Sequence, residues 1–140
     1  MGKRQRRYQV AFLLAFFSLP ANAADWWLTA TLTSYHFDRR GYNERNYGLG
    51  AEYHWDETYR GGFGFYENSY YRRTYYLMAQ WLPIHSGNWH TGMSVGLVSG
   101  YEKNAVVVPI PTVAYENDKV GVNLGITPAF IGVQIKFRLD

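Results

Sequence analysis

From residue 26 onward the chain keeps returning to one pattern: an apolar side chain at every second position, with small or polar residues between. Tyr47, Leu49, Ala51, Tyr53 and Trp55 alternate with Gly48, Gly50, Glu52 and His54. Trp26, Leu28, Ala30 and Leu32 alternate with Thr29, Thr31 and Thr33, and Phe63 and Phe65 with Gly62 and Gly64. Tyr75, Leu77, Ala79 and Trp81 alternate with Thr74, Met78 and Gln80; Trp89, Met93, Val95 and Leu97 with His90, Gly92, Ser94 and Gly96. Val120, Val122, Leu124 and Ile126 interleave with Gly121, Asn123 and Gly125, and Val133, Ile135, Phe137 and Leu139 with Gln134, Lys136 and Arg138. A period of two marks a strand whose two faces meet different surroundings. Residues 105–115 are extended too, but Pro109 and Pro111 blur the parity. Proline removes a ladder donor, so a bulge or kink is expected there.

This makes eight strands. Asp56-Glu57-Thr58, 83–88 and Glu116-Asn117-Asp118 read as short turns on one side; residues 38–45, 69–73, 102–104 and 127–131 read as loops on the other. Eight antiparallel strands in up-and-down order can close into a barrel with no edge left in lipid. A soluble β-sandwich burying the same apolar residues is the structural alternative. Two features favour a transmembrane barrel. The polar face (Glu52, His54, Gln80, Asn123, Gln134, Lys136, Arg138) is interspersed with glycines, which suits a crowded lumen. Aromatic residues are 19% of the chain, and Trp26, Trp27, Trp55, Trp81 and Trp89 fall near strand ends, where interfacial girdles belong. The terminal Phe137-Arg138-Leu139-Asp140 departs from the aromatic ending common in such barrels.

The N-terminus gives the compartment. Lys3, Arg4, Arg6 and Arg7 precede a short apolar run, 10–20, and Ala21-Asn22-Ala23 is a small-x-small cleavage site. Residues 1–23 are expected to be a signal peptide rather than a membrane anchor, leaving a single barrel domain at 24–140. No later segment has the length and uniform apolarity of a membrane-crossing helix. The leader holds four of the 14 basic residues and none of the 11 acidic ones, so the remainder is close to neutral. The basic balance of the whole chain is therefore no sign of nucleic-acid binding. The absence of cysteine excludes disulfides and a lipoprotein anchor at the cleavage site. The expected location is the bacterial (Gram-negative) cell outer membrane, reached through the barrel-insertion machinery, as a monomer among lipopolysaccharide and phospholipid.

A lumen of eight strands is nearly filled by side chains, which excludes a diffusion pore. Zinc spacing, a phosphate-binding glycine loop and a GxSxG elbow are all absent, and no metal or cofactor is expected. His36, at the end of the first strand, and Glu67-Asn68-Ser69, at the end of the third, are brought to one rim by the topology. A serine beside a histidine is the minimum apparatus for acyl transfer. The alternative is an ordinary polar rim on a non-enzymatic, structural or surface-binding barrel.

Tyr42-Asn43-Glu44-Arg45, His54-Trp55-Asp56-Glu57, Trp89-His90-Thr91-Gly92 and the Val-Pro-Ile-Pro run at 108–111 carry a resemblance. From about residue 35 onward the chain resembles the outer-membrane lipid A palmitoyltransferases, as a short, divergent member. The resemblance implies an eight-stranded barrel that moves an acyl chain from a phospholipid to lipid A. It places the family's catalytic histidine on His36, its serine on Ser69 and its aspartate on Asn68. Asparagine cannot balance an imidazolium; Glu67 is acidic, but its strand parity points it to the other face. The family's N-terminal amphipathic helix has no counterpart, since Asp25-Trp26-Trp27 enters the first strand at once. The lumen reads as polar and glycine-rich, with little apolar lining for a long chain. Arg39, Arg40, Arg72 and Arg73 lie in the expected outer loops and suit lipid phosphates. The same arginines also suit any anionic lipopolysaccharide without catalysis.

Overall fold

The computed structural model describes residues 25–101 and 104–139. The expected leader, 1–23, and Asp140 lie outside the described residues. The strands are β1 (Asp25–His36), β2 (Arg45–His54), β3 (Tyr59–Glu67), β4 (Arg73–Ser86), β5 (Trp89–Val98), β6 (Val106–Glu116), β7 (Val120–Ile126) and β8 (Phe130–Leu139). Each pairs antiparallel with its sequence neighbours, and β1 pairs with β8, closing the sheet. The fold is therefore all-β, an eight-stranded antiparallel up-and-down barrel, and closure rules out the sandwich. There is no helix among the described residues. Loops 37–44, 68–72 and 127–129 and residues 99–101 after β5 share one end, the mouth. Turns 55–58, 87–88 and 117–119 share the other, the floor.

Two bulges set which way side chains point. In β1 the register slips between Thr31 and Thr33 against both neighbours. Against β8, Leu32 is the extra residue, so the parity of β1 inverts across it, while against β2 it faces both Asn46 and Tyr47. Thr29 is buried in the lumen, Thr33 is exposed at the edge of the upper cavity, and Ser34 and His36 turn inward. In β4, Leu82 and Pro83 oppose the single residue Gly92. A Cβ at Gly92 would lie 2.0 Å from the Trp81 carbonyl oxygen, so only glycine lets the bulge close. Segment 83–88, expected as a turn, thus continues β4 to Ser86, and the hairpin turns on Gly87-Asn88 alone. The proline bulge expected in β6 does not form there. Pairing of β6 with β5 is continuous from Val106 to Tyr115. Pairing with β7 begins only at Thr112, so Pro109 and Pro111 fall on a stretch of β6 with no β7 partner. A missing donor costs least on such a stretch.

The apolar parity faces outward. Leu28, Leu49, Leu77, Val95 and Leu97 are exposed around the middle of the wall. Aromatic rings flank them: Tyr35, Tyr47 and Tyr75 toward the mouth, Trp55, Tyr59, Trp81 and Trp89 toward the floor. Trp27, expected in a girdle, instead points inward, stacked on His54 with ring centroids 5.2 Å apart. Arg138, expected in the lumen, sits exposed at the floor rim, 2.7 Å from Asp25.

The floor half of the lumen is packed. Gly50 and Gly64 face each other across β2 and β3, and an added Cβ at Gly50 would meet the Tyr76 hydroxyl at 2.4 Å. The two glycines make the notch that receives this tyrosine. Beneath it lies a buried charge cluster. Lys136 Nζ donates to Glu52 Oε1 at 2.7 Å and lies 3.2 Å from Glu116. Arg60 donates to Glu116, His54 lies beside Glu52, and Asn123 donates to Glu52 Oε2 at 2.8 Å. Glu116, read from sequence as a turn residue, is the inward-facing end of β6.

Candidate active site

At the mouth two asparagines clip two loops together. Asn43 Nδ2 donates to Glu67 Oε1 at 2.9 Å and to the Asn68 carbonyl at 3.2 Å, while its backbone N–H donates to the Ser69 carbonyl at 2.9 Å. Asn46 Nδ2 donates to the Glu67 carbonyl at 2.9 Å, and its Oδ1 accepts from Ser34 Oγ at 2.6 Å. These bonds fix the 37–44 loop against the 68–72 loop. Glu67 is spent in this clip, exposed on the outer parity as its position in β3 implies.

Asn68 is buried and organises its own loop. Its Oδ1 accepts from the Tyr70 and Arg72 backbone N–H groups at 2.9 and 3.2 Å. Its Nδ2 donates to Thr74 Oγ1 at 3.1 Å and to the Gly100 carbonyl at 3.0 Å. The side chain that the resemblance sets in the acid's place is thus fully engaged away from His36. Tyr71, with φ of 61°, completes the tight turn.

The clip brings His36 and Ser69 together: Ser69 Oγ lies 2.8 Å from His36 Nε2. For the serine to donate, Nε2 must carry the lone pair, which puts the ring proton on Nδ1. The imidazole is buried between Tyr42, stacked at 4.6 Å, and Phe130, at 5.5 Å. Its Nδ1 has no hydrogen-bond partner among the described residues. The acid nearest to it is Glu44, whose Oε1 lies 3.8 Å away. Glu44 Oε1 accepts the His36 backbone N–H at 3.0 Å and Arg39 Nη1 at 2.7 Å. That backbone donor, followed by the Arg39 charge, holds the Glu44 carboxyl below the usual carboxylate range. Sequence reasoning quoted Glu44 only as part of a motif and gave it no role. The available signal was an acid eight residues beyond the histidine, across a loop short enough to fold back.

The four arginines all reach the mouth. Arg39 is committed to Glu44, and Arg40 to Asp38 at 2.7 Å. Arg73 opens β4 with its guanidinium over the Phe65 ring, and Arg72 is exposed in the loop before it.

Below Ser69 the upper lumen holds a cavity of about 160 Å³. Tyr66, Tyr76, Met78, Val98, Ile110 and Phe130 line it together with Gly96, Gly125 and Gly132. The expectation of a polar, glycine-rich lumen holds for part of this wall, where Thr31, Gln80, Ser94, Thr112 and Gln134 also reach the cavity; the apolar share is larger than expected. The proline-blurred β6 turns Ile110 inward, and Phe130, expected in a loop, opens β8. An apolar cavity of about 150 Å³ takes up a benzene-sized molecule, so this one suits a short acyl segment. No family model matches the chain, and no curated protein matches it.

Proposed function

We propose that this chain is an outer-membrane barrel that transfers an acyl chain from a phospholipid to lipid A, with Ser69 as nucleophile and His36 as its base. The observation that carries the reading is the 2.8 Å contact between Ser69 Oγ and His36 Nε2 at the lip of an apolar cavity. A serine so placed is activated, and a hydrocarbon segment has somewhere to sit while the ester is attacked. The outward apolar band between two aromatic rings supports a bilayer setting. The rim arginines suit phosphorylated lipid headgroups.

The chemistry follows from the two side chains. Ser69 Oγ bonds to the ester carbonyl carbon while its proton passes to His36 Nε2. The carbon–oxygen ester bond then breaks, and the departing lysophospholipid oxygen takes that proton. A hydroxyl of lipid A attacks the acyl-serine, again losing its proton to Nε2, and the proton returns to Ser69 Oγ as the ester leaves.

The mass spectrum of lipid A from cells expressing the chain tests this. One additional acyl chain is expected, absent with His36→Ala and with Ser69→Ala when gel mobility shows both barrels folded. Unchanged lipid A beside a folded wild-type barrel overturns the reading, leaving a non-enzymatic barrel whose arginines bind lipopolysaccharide.

A further inference from the structure

Glu44 Oε1 faces three donors and satisfies two. The His36 backbone N–H reaches it at 3.0 Å, Arg39 Nη1 at 2.7 Å, and His36 Nδ1 is left at 3.8 Å. A carboxylate oxygen offers two lone-pair directions, so the first two donors fill it. The donor left out is buried, has no other partner among the described residues, and is the one whose pairing would orient and charge-balance the imidazole. The group in its way is the most replaceable of the three. Arg39 is a loop side chain, 59% exposed, and it also lies over the face of Tyr35, 4.9 Å from the ring centroid.

We infer that Arg39 is a latch: it occupies the Glu44 oxygen that His36 needs, and a phosphate group that captures Arg39 frees Glu44 to accept the Nδ1 proton. This rests on the Ser69–His36 reading above and adds its regulation. Guanidinium prefers a phosphate over a single carboxylate oxygen because it can bind two phosphate oxygens at once. The neighbouring Arg40 is paired in the same way with Asp38, and of the two it is Arg39 that sits on Glu44. Glu44 then acts as a positioning residue, touching no substrate. Ser69 becomes fully nucleophilic only when a phosphorylated molecule has arrived, so an idle site does not pass acyl chains to water.

The test measures how fast Ser69 is labelled by a neutral alkyl fluorophosphonate, in which the serine oxygen bonds to phosphorus and fluoride leaves. The folded barrel is compared in neutral detergent alone, with phosphatidylglycerol added, and with inorganic phosphate added. Wild type should label about tenfold faster with the anion, the size of effect one well-placed charge-assisted hydrogen bond gives. Acceleration by both anions assigns the latch to phosphate in general; acceleration by the lipid alone assigns it to a headgroup held at the surface. Arg39→Gln should label fast in all three conditions. Glu44→Gln should stay slow in all three, and Glu44→Asp should recover part of the anion response, which a merely structural role would not produce. The latch is wrong if Arg39→Gln keeps the wild-type anion response, or if Glu44→Gln does. A folded wild-type barrel that never labels overturns the acyl-transfer reading itself, and the latch with it.

Discussion

The two ends of one lumen put their polar groups to different uses. At the floor, Glu52, Glu116, Arg60, Lys136 and His54 are all buried, and the acids and cations interlock. At the mouth, Glu44 is only half-satisfied as a partner for His36, an imidazole nitrogen is buried without a bond, and a cavity is left open. Buried polar groups are normally paired, so an orphan beside a serine and a cavity is the kind of place where chemistry is kept available. The floor has unpaired buried atoms of its own, Arg60 Nε, Trp27 Nε1, His90 Nδ1 and Asn123 Oδ1 among them; what sets the mouth apart is that its unpaired nitrogen belongs to a ring bonded to a serine at the lip of a cavity.

The largest expected effect separates the ends by activity. Ser69→Ala should lower fluorophosphonate labelling and lipid A acylation by about 10³-fold or more, the scale at which a serine–histidine pair fails when one member is removed. Its unfolding midpoint in detergent should match wild type, because Ser69 lies half-exposed at the rim. A loss of stability as large as the loss of activity would make Ser69 a structural residue.

Glu52→Gln should do the reverse. It leaves Lys136 fully buried without its closest counter-charge, and breaking one side of such a pair costs about 3–5 kcal/mol. Denaturant unfolding should show that loss, while molecules that remain folded still label at Ser69. Lost labelling in folded Glu52→Gln would show that the two ends are coupled through the lumen.

Asn68→Asp sets the resemblance against the geometry. The family pattern calls for an acid there, so restoring one would raise activity if Asn68 were a decayed catalytic residue. The hydrogen bonds predict otherwise. Asn68 Nδ2 is a donor to Thr74 Oγ1 and to the Gly100 carbonyl, and a carboxylate can make neither bond. The expected result is a loss of about 1–3 kcal/mol in stability with no gain in labelling. A clear gain in labelling would return the acid's role from Glu44 to position 68.

Much of the wall was legible in the sequence because period two survives along most strands. It failed where an extra residue hid in a strand. Counting straight through β1 puts His36 on the same parity as Trp26 and Leu28, the outward face. Only the bulge at Leu32 turns it into the lumen. Pro83 looked like a turn because proline usually ends strands, yet Gly92 opposite makes room for it inside a bulge. Of the site, His36 and Ser69 were visible because topology alone brings their strand ends together. Glu44 was hidden because it acts through a loop, and loop closure depends on Asn43 and Asn46, whose bonds to backbone leave no periodic trace.

The smallest effect concerns a carboxyl at each end that is held below its ordinary range. At the mouth it is Glu44; at the floor it is Asp56, whose Oδ1 accepts the Thr58 and Tyr59 backbone N–H groups, each at 2.7 Å. The Tyr59 donor and then the Thr58 donor favour the ionised form of Asp56. A carboxyl with a depressed folded pKa contributes stability above its unfolded pKa and loses it as pH falls through the folded value. Acid should therefore loosen the β2–β3 turn only below the ordinary aspartate value of about 3.9. Asparagine at position 56 still presents an oxygen to the same two N–H groups but cannot titrate. Wild type should lose more of its unfolding midpoint than Asp56→Asn between neutral pH and a pH of about 3, while the two label equally at Ser69 at neutral pH. An equal acid loss in both proteins would move the floor's acid sensitivity from this turn to the buried cluster. The floor would then no longer be the end whose charges are insulated from solvent, and the contrast with the mouth would have to rest on the cavity and the unpaired Nδ1 alone.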